Sequence, residues 1–76
     1  MILPVIAPAI GTIDGVNRDY QTPSPYVAGS LVVFLNGLSR TRDLKDDGWV
    51  ETGSDTFRMD EAPQTGDQVE AYYLTP

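Results

Sequence analysis

Three carboxylates of the chain, Asp43, Asp46 and Asp47, fall within five residues and are its best candidates for binding a metal ion. Calcium prefers carboxylate oxygens, and an EF-hand loop requires ligands at positions 1, 3 and 5 and a Glu at position 12. Counted from Asp43, position 3 is a Lys and position 12 is a Ser, so the pattern fails. We read Asp46-Asp47-Gly48 as a solvated turn and expect no metal cofactor; a calcium ion held by Asp46 and Asp47 is the alternative.

Other catalytic groups are scarce. The 76 residues include no His and no Cys, which removes Ser-His-Asp and Cys-His nucleophiles and ordinary zinc sites. Asp60 and Glu61 are adjacent, and neighbouring residues of a strand point to opposite faces, so they cannot form a carboxylate pair across one cleft. No nucleotide-binding or hydrolase motif occurs. We therefore predict that the chain is not an enzyme and uses no cofactor.

The charge balance narrows the choice of partners. The chain has 11 acidic and 5 basic residues, a net charge of −6, which would repel phosphate backbones and anionic membranes. The first 13 residues are uncharged, but no Lys or Arg precedes them, and Pro4 and Pro8 interrupt them, so we expect neither a signal peptide nor a membrane span. We therefore expect that the chain is synthesised in a cytoplasm and that its partners are proteins.

Aromatic side chains remain as binding groups, because a flat ring at the surface stacks on sugars or on partner proteins. Strand placement assigns three of them to the core: Phe34, Trp49 and Phe57. Tyr72 is the best candidate for an exposed ring, because Tyr73 takes the inward face of the same strand. Tyr26, in a loop with two prolines, is the second candidate.

Strand patterns separated by turn residues predict an all-β fold, a small antiparallel β-sandwich or barrel. The apolar run Ser30–Leu35 predicts a central strand buried on both faces. Asn36-Gly37 predicts a type I′ turn, and Leu38–Asp43 is its returning strand.

A second predicted hairpin joins Trp49–Thr52 to Asp55–Met59 through a two-residue type II′ turn at Gly53-Ser54. The last predicted strand is Gln68–Leu74. Its alternation turns one set of side chains inward, namely Val69, Ala71 and Tyr73, and turns the other set outward, namely Glu70, Tyr72 and Leu74. Weaker strands are predicted at Ile10–Asp14 and Arg18–Thr22, and loops at Thr22–Gly29 and Asp60–Asp67.

Residues 1–13 form a predicted apolar arm in front of a β-sandwich domain at 14–76. Its prolines bar a helix or a central strand, yet five aliphatic side chains must be covered: Ile2, Leu3, Val5, Ile6 and Ile10. The arm either folds back as an edge strand over its own core or lies across a neighbouring subunit. The small core favours the second arrangement, in a homo-oligomer such as a trimer or ring.

Three segments carry a resemblance to a known family: Asp14–Gly37, Asp47–Thr52 and Phe57–Leu74. They resemble small β-domains of tailed-bacteriophage virion proteins, in which DG-x-N, P-x-P-Y, G-S-L, N-G and A-P-x-x-G-D stand in this order. The resemblance covers about four-fifths of the chain and leaves out the arm. It implies a structural or attachment role without catalysis, and it assigns no functional residue.

These observations predict a virion structural protein, a decoration (cement) or accessory subunit that binds other virion proteins through its arm and a sheet edge. The predicted interface residues are the aliphatic side chains of the arm together with Tyr26 and Tyr72. A tail or fibre module that recognises a host-surface glycan or protein is the alternative, and a β-sandwich interaction domain outside any phage is a third interpretation.

Overall fold

The computed structural model describes residues 4–43 and 48–76, and this part of the chain contains β-strands and no helix. The seven strands are β1 (Pro4–Pro8), β2 (Asp19–Gln21), β3 (Val32–Leu35), β4 (Leu38–Ser39), β5 (Trp49–Glu51), β6 (Thr56–Met59) and β7 (Val69–Leu74). They form two antiparallel sheets, with strand orders β1-β7-β3-β4 and β2-β6-β5. The chain is thus a small all-β sandwich, as predicted. No helix of the described residues is long and apolar enough to cross a membrane.

The core lies between the two sheets and is rich in aromatic rings. Trp49 and Phe57 meet edge to face at 6.4 Å between ring centroids, and Tyr20 stacks on Phe57 at 6.0 Å. Strand β7 alternates as predicted, with every second side chain buried. The buried apolar residues are Tyr20, Tyr26, Leu31, Val33, Trp49, Phe57, Met59, Val69, Ala71 and Tyr73.

The first hairpin has the predicted turn. Asn36 and Gly37 have φ angles of 52° and 84°, the two positive values that a type I′ turn requires. Strand β4 ends at Ser39, earlier than predicted, because the chain then crosses to the other sheet, where the Trp49 amide donates to the Thr41 carbonyl at 3.0 Å. The prediction that Phe34 is a core residue is wrong: it is half-buried on the outer face of its sheet.

The second hairpin has a longer loop than predicted. The register pairs Trp49 with Met59, and the Thr52 amide donates to the Thr56 carbonyl at 3.0 Å, which leaves three residues in the loop. Gly53 lacks the positive φ of a type II′ turn. Burial explains the difference, because a two-residue loop would place Trp49 opposite Arg58 and send one of them to the wrong face.

The described part of the arm adopts the first of the two predicted arrangements. Strand β1 pairs antiparallel with β7 of its own chain, from Pro4 opposite Leu74 to Pro8 opposite Glu70. The chain then crosses to the other sheet, where Ile10 and β2 form an isolated bridge rather than the strand predicted at Ile10–Asp14. Residues 4–8 of the arm are therefore an edge strand of the sandwich.

Candidate protein-binding surface

The three-stranded sheet presents a polar outer face. Asp19, Gln21 and Arg58 are exposed there. The Arg58 Nε donates to Asp19 Oδ1 at 2.8 Å, and this hydrogen bond holds the pKa of Asp19 below its ordinary range. A face of this kind is typical of a sheet in contact with water.

The four-stranded sheet presents an apolar outer face instead. Strand alternation and register bring seven apolar side chains to it, which we call the apolar face: Pro4, Ile6, Pro8, Val32, Phe34, Tyr72 and Leu74. Ile6 is 69% exposed, and the residues of β3 and β7 on this face are half-buried. Contiguous exposed apolar patches mark interaction sites more often than scattered apolar residues do. The apolar face is therefore the strongest candidate for a binding surface.

Two cross-strand rows organise the apolar face. Tyr72 lies between Ile6 of β1 and Val32 of β3, and in the next row Glu70 lies between Pro8 and Phe34. Directly opposed side chains on one face have Cβ atoms about 5 Å apart, so each row is a continuous contact. A hollow opens between the rows, lined by Ile6, Phe34, Gly37 and Glu70.

The free edge of β1 is poorly suited to strand addition. The Ala9 amide donates to the Val69 carbonyl at 2.9 Å, so strand alternation turns the backbone nitrogens of residues 4, 6 and 8 away from β7. Two of those three residues are Pro4 and Pro8, which have no N–H. The edge therefore offers one donor, on Ile6, and a partner would be held by the side chains of the face rather than by a new backbone ladder.

Tyr26 is buried, and the prediction that it is an exposed ring is wrong. Its hydroxyl donates to the carbonyls of Gly53 and Thr56, with oxygen distances of 2.6 and 2.5 Å, and its ring contacts Tyr73 edge to face at 6.4 Å. The proline loop packs across the end of the sandwich, where the amide of Val27 donates to the Leu74 carbonyl at 2.8 Å. Burial is the main cause that raises the pKa of Tyr26.

The other predicted interface residues separate into four groups. Ile6 and Tyr72 are brought together as neighbours on the apolar face. Val5 turns inward and packs against the core. Ile10, 53% exposed, lies at the corner where the chain crosses between sheets, and its amide donates to the Gln21 carbonyl at 2.7 Å. The remaining two, Ile2 and Leu3, lie outside the described residues.

The sequence interpretation missed Val32 and Phe34 as surface residues. The sequence feature that could have identified them is the unbroken apolar run of β3, because such a run places apolar side chains on both faces of a sheet. In this two-layer sandwich the described residues cover only one of those faces. The other face is the apolar face described above.

Several carboxylates fix turns rather than form a site. Asp14 accepts from the amides of Asn17 and Val16 at 2.9 Å each, bonds that lower its pKa. Asp67 accepts from the Asn36 side chain at 3.1 Å and the Gln64 amide at 2.8 Å, which also lower its pKa. Among the described residues no group of three or more acidic, His or Cys side chains could hold a metal ion. The alternative calcium ligands Asp46 and Asp47 lie outside them.

Comparison of the chain with protein-family models, with curated proteins and with solved structures finds no match. The apolar face and the sequence resemblance are therefore the two observations that bear on function.

Proposed function

We propose that the chain is a virion structural protein of a tailed phage, a decoration or accessory subunit that binds other virion proteins through its apolar face. The observation that carries the binding role is the row of Ile6, Tyr72 and Val32 on a sheet face that no other part of the described chain covers. The phage setting is supported by the sequence resemblance. A protein with this role resides in the virus particle, so the virion is the proposed location of the chain.

The expected affinity of this contact is typical of multivalent binding to a repeating particle surface rather than of a tight one-to-one complex. Burial of apolar surface contributes about 25 cal/mol per Å², so a patch of a few hundred Å² contributes roughly 5–10 kcal/mol before association costs. The loss of translational and rotational freedom on association offsets much of that free energy. A subunit that binds many equivalent positions, or binds as a trimer or ring, gains avidity that a single face lacks.

The test compares two matched variants, Ile6→Asp and Val16→Asp. Both replace a strongly exposed aliphatic side chain, 69% and 80% exposed, by a carboxylate, but only Ile6 belongs to the apolar face. Particles made with each variant are separated on a density gradient, and the chain is quantified by mass spectrometry. We expect wild type and Val16→Asp in the particle fraction and Ile6→Asp depleted at least tenfold. Wild-type chain found only in the soluble fraction would contradict the proposed function.

The alternative role, a tail or fibre module that recognises a host-surface glycan or protein, is favoured by one feature. The Tyr72 ring on the apolar face offers a flat surface on which a sugar could stack. Whole-cell binding and a glycan array with the isolated chain distinguish the two roles, because a decoration subunit binds particles and leaves cells and glycans unbound.

A further inference from the structure

We propose that the hollow on the apolar face receives an arginine side chain of the partner protein, with its guanidinium paired to the Glu70 carboxylate. This inference deepens the proposed function and rests on it for the identity of the partner as a virion protein. The pairing would orient the partner on a face that is otherwise apolar.

The position of Glu70 is the first argument. Its cross-strand neighbours are Pro8 and Phe34, and Tyr72 stands two residues along β7 on the same face. Together with Ile6, Phe34 and Gly37, Glu70 lines the hollow. It is the only charged side chain on this face within residues 4–43 and 48–76. A half-buried carboxylate among apolar side chains loses hydration that an opposite charge would replace.

The lack of an internal partner is the second argument. Asp19 pairs with Arg58, and Glu51 accepts from the Gly29 amide and lies 3.5 Å from Arg42. In the described part of the chain, no hydrogen bond or ion pair engages the Glu70 carboxylate. Residues 4–43 and 48–76 therefore leave this acceptor without a partner, on the strand that lies between β1 and β3 in the candidate binding surface.

The chemistry of the face selects arginine as its occupant. A guanidinium is planar and weakly hydrated, stacks on aromatic rings and pairs with both oxygens of a carboxylate, so Phe34, Tyr72 and Glu70 each match part of it. A second copy of the chain is a poor occupant, because both chains carry a net charge of −6 and a two-fold contact through this face would also bring Glu70 towards Glu70. A basic segment of a different protein complements this charge.

Nuclear magnetic resonance titration of the full chain tests the site with two defined peptides. The probe is acetyl-Ala-Arg-Ala-amide, and its matched control carries citrulline, which keeps the shape of arginine but not its charge. We expect saturable shifts of the amide signals of Ile6, Gly37 and Glu70 with the arginine peptide. The citrulline peptide and a Glu70→Gln variant should bind roughly two- to fivefold more weakly, in the range of an accessible ion pair. Equal shifts with both peptides, or unchanged binding by Glu70→Gln, would overturn the inference.

Particle incorporation separates this inference from the proposed function. Glu70→Lys should be lost from particles, whereas Asp19→Asn on the opposite, polar face should be retained. If Glu70→Lys is retained like wild type, the arginine site is refuted and the proposed function stands. If wild type is absent from particles while the arginine peptide still requires Glu70, the proposed function fails and the site stands. A dimer in light scattering that shields the same amides would assign the face to a second copy and overturn the inference.

Discussion

Removal of the Tyr26 hydroxyl tests whether this side chain is buried, as in the structure, or exposed, as the sequence predicted. Tyr26→Phe keeps the ring, which is 5% exposed, and deletes only the donor that serves the carbonyls of Gly53 and Thr56. These two acceptors belong to the second hairpin, whereas Tyr26 belongs to the proline loop. The hydroxyl therefore connects the loop to the three-stranded sheet. Its loss removes the hydrogen bond to the Gly53 carbonyl and leaves the Thr56 carbonyl with the Thr52 amide as its donor.

The expected loss of stability is about 1 kcal/mol, the net contribution of a typical intramolecular hydrogen bond, because the Thr56 carbonyl keeps a second donor and Gly53 is exposed. A chain of 76 residues loses roughly 6 °C of melting temperature per kcal/mol, so the melting temperature should fall by about 6 °C. The slope of the urea unfolding curve should stay unchanged, because the deletion does not alter the surface exposed on unfolding.

Thermal and urea melts followed by circular dichroism make the measurement, and Tyr72→Phe is the matched control. It deletes the same atom from a ring on the apolar face, where it should cost no more than about 0.5 kcal/mol. Equal melting temperatures for wild type and Tyr26→Phe would show that the hydroxyl is not buried and would refute the packing of the proline loop.

Three further predictions concern the turn, the acid response and the arm. Gly37→Val should destabilise the chain by about 1–3 kcal/mol through backbone strain alone, because the φ of Gly37 is 84° and nothing lies within 4 Å of an added Cβ. Gly37→Asn should cost less, because Asn accepts a positive φ more readily than Val. Equal urea midpoints for wild type and the Val variant would refute the turn. Hydrogen bonds lower the pKa values of Asp14 and Asp67, so their contribution is present above the unfolded pKa of about 3.9 and is lost as pH falls through the folded values. Urea melts should show that the free energy of unfolding falls at acid pH, and the fall should be smaller in the Asp14→Asn, Asp67→Asn double variant. Identical pH profiles for the two proteins would contradict this prediction. Deletion of Met1–Ala9 should unfold the chain or make it aggregate, because it exposes the edge of β7, and a folded truncated monomer by circular dichroism and light scattering would contradict this.

Local signals predicted much of the fold. The alternation of Val69, Ala71 and Tyr73 identified the buried side of β7, because a half-covered strand must bury every second residue. The Asn36-Gly37 pair identified its turn, because few residue pairs accept two positive φ angles. Both features depend on neighbours in sequence, which a single chain displays directly.

Features set by distant contacts were harder to predict. The three-residue loop of the second hairpin is selected by the need to bury Trp49 and Met59 on one face, which outweighs the local preference of Gly53-Ser54. The burial of Tyr26 depends on a loop that closes the end of the sandwich, and the proline content of that loop gives no sign of where it packs.

Two residues of the apolar face were among the predicted interface residues. Alternation placed Tyr72 on the outer side of β7, and the arm contributed Ile6, which lies beside Tyr72 on that face. Phe34 was assigned to the core because an apolar strand is usually covered on both faces. Only the number of layers in the sandwich reveals that the described part of the chain leaves its outer face uncovered.

Photo-cross-linking from the apolar face tests the central claim most directly. A benzoylphenylalanine residue is introduced at Tyr72, on the apolar face, and separately at Gln21, on the polar outer face, and purified particles are irradiated. We expect the chain labelled at position 72 to cross-link to another virion protein and the chain labelled at position 21 to give no such product. Equal cross-linking from both positions, or products from position 21 alone, would contradict the assignment of the apolar face as the binding surface.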